Sequence, residues 1–134
     1  MTDYARIGFS LEISENSDYS TPYIHPYIPA FTLTPDEVEW RVVEATTAGT
    51  TVELGMYTTI HGVILWLDST TAGEDVCATY TNVGGHVATA AATSIDLQAG
   101  LLRLAVLPDV NPANDLVLDS QTGTPRVYVG IMGT

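Results

Sequence analysis

Read as a series of apolar and polar positions, most of the chain has a period of two. Residues 5–13, ARIGFSLEI, put Ala5, Ile7, Phe9, Leu11 and Ile13 on one face and Arg6, Ser10 and Glu12 on the other, which predicts a half-buried strand. Further on, Val38, Trp40 and Val42 alternate with Glu37, Glu39 and Arg41 in a β-branched, aromatic run. The stretch Thr34-Pro35-Asp36-Glu37 has the cap and proline of a helix start, but the alternation after it reduces this to one turn leading into a strand over 38–46. Past a turn at 47–50, Val52, Leu54 and Met56 share a face. The run HGVILWLD over 61–68 is apolar on both faces, as in a strand inside a sheet.

The second half continues the pattern. Val76, Ala78 and Tyr80 alternate with Cys77 and Thr79, and Gly84-Gly85 offers the positive φ values of a two-residue hairpin turn with HVATAAAT returning beside it. The small residues of that return predict close approach by another sheet or subunit. Residues 95–106 read as a strand pair or one long bent strand, 116–118 as a short strand, and RVYVGIMG as a strand with Val127, Val129 and Ile131 inward, locking the chain end near Thr134 into a sheet. Eight or nine short strands separated by turn signals, with no convincing helix, predict an all-β fold: a single-domain β-sandwich of jelly-roll type over 1–134.

One segment breaks the alternation. Residues 16–31 contain TPYIHPYIPAF, in which Pro-Tyr-Ile occurs twice with no charged residue. Proline fixes φ and gives up its N–H, so this spacing builds neither helix nor interior strand but an extended arm. The arm is too aromatic for a solvated linker, and Tyr23, Ile24, Tyr27, Ile28 and Phe31 are its candidate anchors. Two docking places are open: an edge of its own sheet, or a neighbouring subunit.

Composition narrows the function classes. Hydrophobic residues make up 46% of the 134 positions and charged residues 15%, too apolar for a disordered chain. The longest apolar run, Val63-Ile64-Leu65-Trp66-Leu67, is far below the ~18 residues of a membrane helix, and the start MTDYARIGFSLEI lacks the form of a signal peptide. Cys77 is the single cysteine, so no intrachain disulfide is expected. The net charge is -12, with sixteen acids, four arginines and no lysine. That balance argues against nucleic acid and anionic membranes as partners and leaves neutral or basic protein surfaces, or neutral glycans.

Catalytic signatures are missing from the pattern. His25, His61 and His86 lie far apart without metal-ligand spacing, and Cys77 sits inside an alternating strand as a small hydrophobe. The loop 109–115 holds Asp109, Asn111 and Asp115, three possible calcium ligands, but it lacks the glycine bend and terminal Glu of the known calcium loop and reads as a turn. The expectation is therefore no enzyme, no cofactor and no metal.

A family resemblance adds to this. The stretches VEWRVVEATTAGTTVELG, GVILWLDSTTAGEDVCATYTNVGG, DLQAGLLRLAVLPDVNPANDLVL and TGTPRVYVGIMG resemble small β-sandwich structural proteins of tailed bacteriophages, which decorate capsids or form fibres and spikes. The matching positions are Tyr80, Thr81, Asn82, Gly84, Gly85, Gly100, Leu107, Pro108, Asp115, Leu116 and Gly133, within residues 38–134. The resemblance implies a non-enzymatic virion protein, first of all a capsid decoration or head-surface protein that binds between coat subunits. It would be a homo-oligomer on the virion surface, made in the host cytoplasm, with the major capsid protein or another virion protein as partner. The alternative is a glycan- or receptor-binding module of a tail or fibre. That alternative requires exposed Trp or Tyr beside acids, whereas Trp40 and Trp66, the only tryptophans, lie within apolar strand patterns.

Overall fold

A computed structural model describes residues 5–7, 31–33, 37–84, 91–101, 103–107 and 109–134. These contain ten strands and no helix: β1 (Ala5–Ile7), β2 (Phe31–Leu33), β3 (Glu37–Glu44), β4 (Thr50–Val52), β5 (Ile60–Asp68), β6 (Val76–Thr81), β7 (Ala92–Leu97), β8 (Leu104–Leu107), β9 (Leu116–Ser120) and β10 (Arg126–Gly133). β1 and β2 form an antiparallel pair, Ile7 opposite Phe31. The other eight strands form two four-stranded sheets, ordered β3-β10-β5-β8 and β4-β9-β6-β7, with every strand pairing antiparallel. The chain is thus all-β, with two sheets facing across one core in the manner of a β-sandwich.

The core follows from the alternation. On β10, Val127, Val129 and Ile131 are fully buried, and across from them β5 buries Val63 and Leu65 with Leu67. The second sheet supplies Val76 and Ala78 from β6 and Leu116 and Leu118 from β9. Each such side chain withdrawn from water contributes about 1.5–3 kcal/mol, which is why strands too short to be stable alone hold together as layers. The face of the second sheet turned from the core is polar: Cys77 stands between Asp96 and Asp119 in register, beside Thr79 and Ser94.

Several sequence expectations need correction. β6 and β7 pair with Thr81 opposite Ala92, and Asn82 N–H donates to the Ala91 carbonyl, a register different from that of a two-residue turn centred on Gly84-Gly85, which would set Thr81 opposite Ala88; residues 85–90 lie outside the described residues. Gly84 does have a positive φ of 77°. The neck of this longer connection is tied by Asn82, whose side-chain oxygen accepts from the Gly84 N–H at 2.9 Å and the Ala91 N–H at 3.3 Å. The region 95–106 is neither a pair nor one bent strand. It ends β7 in one sheet and starts β8 in the other, crossing at a turn where Gly100 has φ 74°. β4 stops at Val52; beyond it Leu54 is buried and Met56 is exposed, so the three do not continue one face.

Candidate functional site

The residues on β3 are arranged opposite to the usual sense. Cross-strand register places Glu39 and Arg41 beside Ile131 and Val129, on the core side, and places Val38, Trp40 and Val42 on the outward side. The charged pair is tolerated because β3 is an edge strand and the sandwich is open there. Arg41 donates two hydrogen bonds to the Glu39 carboxylate, Nε to Oε1 at 2.6 Å and Nη2 to Oε2 at 2.8 Å. The Tyr57 hydroxyl donates to Glu39 Oε2 at 2.7 Å, and Arg41 Nη1 donates to the Glu53 carbonyl at 3.1 Å. The Arg41 hydrogen bonds, followed by that of Tyr57, hold the Glu39 carboxyl below its ordinary value. This clip closes the mouth of the core with charge that is paired and half in water.

Its consequence is an apolar outer face on the β3-β10-β5-β8 sheet. In successive rows across the strands stand Val42, Tyr128, Trp66 and Leu104, then Trp40, Gly130, Ile64 and Val106. Trp40 is 62% exposed, Val42 57% and Trp66 41%. The Trp40 ring lies over Gly130, where an added Cβ would come within 2.9 Å of its Cη2 and Cζ3 atoms. Glycine there lets the indole rest flat on the sheet. The Arg103 guanidinium sits 5.0 Å from the centre of the Trp66 ring, a cation–π contact. Between these aromatics runs an open groove of about 460 Å³ lined by Trp40, Ile64, Trp66, Asp68, Leu104 and Tyr128.

One end of the face is charged. Glu44, Arg126 and Asp68 form the next row, with Arg126 Nη2 donating to Asp68 Oδ2 at 3.0 Å. The arrangement offers π faces, aliphatic surface and a short polar rim, which is chemistry for binding.

The residues singled out from sequence fall elsewhere. Tyr23, Ile24, Tyr27 and Ile28 lie outside the described residues, while the Phe31 backbone belongs to β2 rather than to an unpaired arm. His25 and His86 also lie outside them, and His61 is exposed at the start of β5. In the 109–115 loop, Asn111 Oδ1 accepts from the Ala113 N–H at 3.0 Å and Asp115 Oδ1 accepts from the Leu54 N–H at 3.1 Å. Both side chains build the turn and its anchorage. Asp109 holds a positive φ of 53° near Tyr80, whose hydroxyl is pushed up by burial and then by the Asp109 charge. Among the described residues, no three His, Cys, Asp or Glu are grouped to hold a metal ion.

The two tryptophans are the side chains of this candidate site that the strand pattern misplaces. An apolar strand pattern predicts a covered tryptophan, whereas both are exposed. A signal was present: β5 is apolar on both faces and β3 puts its apolar set opposite charges, so one sandwich core leaves one apolar set over. No family model, no curated protein and no solved structure matches the chain.

Proposed function

We propose that the chain is a non-enzymatic structural protein of a tailed-bacteriophage virion, a capsid decoration or head-surface protein that binds between coat subunits and stabilises the particle. The observation that carries this is the outer face of the β3-β10-β5-β8 sheet, a broad surface with two exposed tryptophans. Large apolar faces on a sheet are partner surfaces, since an isolated domain gains nothing by leaving them in water. A jelly-roll reading is supported by the strand orders, β3-β10-β5-β8 over β4-β9-β6-β7, in which four nested antiparallel pairs, β3 with β10, β4 with β9, β5 with β8 and β6 with β7, fall alternately in the two sheets. The resemblance to phage proteins supplies the setting: a homo-oligomer on the virion surface, made in the host cytoplasm, with the major capsid protein as partner. Tyr23, Ile24, Tyr27, Ile28 and Phe31 anchor the arm on that neighbour, and the acidic remainder of the surface faces solvent.

The test is addition of the purified protein to mature capsids that lack it. Saturable binding, with a rise in the temperature at which the capsids open, is the expected result. Absence of binding under conditions where the protein is folded overturns the proposal.

A second reading is favoured by one observation. Exposed Trp40 and Trp66 beside the Asp68 carboxylate are what a neutral glycan needs, a stacking platform with an acceptor at its rim. A glycan array with a Trp40→Ala control separates the two: sugar-specific binding lost in the variant selects the glycan module of a tail or fibre.

A further inference from the structure

We infer that the outer face of the β3-β10-β5-β8 sheet is the two-fold interface between two copies of this chain, packed face to face with the axis running along the strands. The inference rests on the reading above that the protein acts by binding; it gives this face to the homo-oligomer and leaves attachment to the coat to the arm.

Charge is the first argument. At a net charge of -12 two copies repel over most approaches. The outer face of the sheet containing β3 is different, since Glu44 and Asp68 are balanced there by Arg126 and Arg103. The opposite sheet turns Asp96 and Asp119 outward. Contact through the neutral face keeps the acidic faces apart.

Order is the second argument. Read from β3 to β5, the charged row is Glu44, Arg126 and Asp68, and on the β8 side Arg103, whose backbone pairs with Leu67, lays its guanidinium over the Trp66 ring next to that row. The signs run minus, plus, minus, plus. A two-fold axis parallel to the strands, lying between β10 and β5, reverses this order on the partner. Glu44 of one copy then meets Arg103 of the other, and Arg126 meets Asp68. The same operation lays Tyr128 over Trp66 and the Trp40 and Gly130 side over Ile64 and Val106. A two-fold axis across the strands would instead press the charged row onto Val38 and Met132, burying charge against apolar surface at heavy cost. Only the first operation matches every row, and it is also the aligned packing that twisted sheets adopt.

Area is the third argument. Three strands of eight or nine residues and a fourth of four, ~4.8 Å apart, give a footprint of roughly 400–500 Å² per copy, hence on the order of 1,000 Å² buried in all. That is the lower bound for a specific interface, so the dimer depends on its aromatic centre.

The experiment is sedimentation of the full chain at rising concentration, with intrinsic tryptophan fluorescence and its quenching by acrylamide read on the same samples. Trp40 and Trp66 are the only tryptophans and both lie on this face, so the optical signal reports its coverage alone. The expected result is a species of twice 14.3 kDa at tens of micromolar, with tryptophans that become protected as it forms. Trp40→Ala raises the dissociation constant at least about tenfold. Glu44→Arg alone and Arg103→Glu alone each weaken the dimer, and the two together restore it, with circular dichroism confirming that every variant is folded. Three results overturn the inference: a monomer with quencher-exposed tryptophans, which assigns the face to a different partner; a monomer with protected tryptophans, which assigns it to another segment of the same chain; and an oligomer indifferent to Trp40→Ala and to the charge exchange. Failure of capsid binding with the dimer intact would sink the virion reading and leave this interface standing.

Discussion

Two glycines in this fold respond oppositely to the same substitution, and the size of each response follows from the surroundings. Gly133 ends β10 at the mouth of the core. A Cβ there would collide with the Tyr57 ring and come within 2.8 Å of the Thr59 carbonyl oxygen. The carbonyl belongs to the backbone and is tied in place, since Thr134 N–H donates to it at 2.9 Å and Thr59 N–H donates back to Thr134. The Tyr57 ring is buried and its hydroxyl is committed to Glu39. Neither neighbour yields easily, so Gly133→Ala costs the ~1–3 kcal/mol of an overpacked site. Reduced freedom of the unfolded chain offsets this by about 0.4–1 kcal/mol. The net loss of about 1–2 kcal/mol lowers Tm by roughly 4–8 °C for a domain of this size. Gly55, by contrast, has nothing within 4 Å of an added Cβ and no positive φ. Gly55→Ala keeps only the favourable term and raises Tm by a few degrees. Thermal melts followed by circular dichroism, backed by urea titration, measure both. A Gly133→Ala protein as stable as the parent would show that the end of β10 moves freely, and the account of the core mouth would be wrong.

Other outcomes are open to simple assays. Glu39 has a folded pKa below its ordinary value, so the stability it contributes is present above the unfolded pKa and is lost as pH falls through the folded one. Melts of the parent and Glu39→Gln should therefore differ at neutral pH and converge in acid; a gap that persists in strong acid refutes the clip. The double change Tyr23→Ala with Tyr27→Ala should leave the fold and its melting temperature nearly unchanged while weakening attachment to the particle, whereas a large loss of stability with attachment retained would show that these residues cap their own domain. Mixed with DNA at low salt, the chain should not bind: Arg41 is held by Glu39 and Arg126 by Asp68, and a salt-sensitive gel shift would contradict this.

The parts of the fold legible in the sequence are those where local alternation and burial agree. β10 is the clearest case, with Val127, Val129 and Ile131 inward as the period-two pattern requires. The sandwich class followed from the same pattern. Alternation names two faces of a strand without saying which one the rest of the molecule covers, and on β3 the apolar set faces out because Glu39 and Arg41 find partners at the open edge. The candidate site was lost for that reason. Gly84-Gly85 failed for another: a glycine pair marks a local preference, while the pairing of β6 with β7 is fixed by contacts along both strands and by the Asn82 side chain. The crossing after β7 was equally illegible, because a change of sheet leaves the alternation of a chain untouched. Tyr23, Ile24, Tyr27 and Ile28 lie outside the described residues, and their reading stands on sequence alone.

The position of β10 between β3 and β5 has a consequence for synthesis. Both neighbours are made first, and β5 leaves the ribosome about 60 residues before β10 begins, roughly 3–12 s at ~5–20 residues per second. Through that interval the two strands that will flank β10 each present an open hydrogen-bonding edge, which is a template for any other strand nearby. Neighbouring nascent chains on one messenger carry the same edges in the same state. The hazard of mispairing in this protein is therefore set by the pace of translation across residues 69–125, and it closes only when the last strand is inserted into the middle of the sheet.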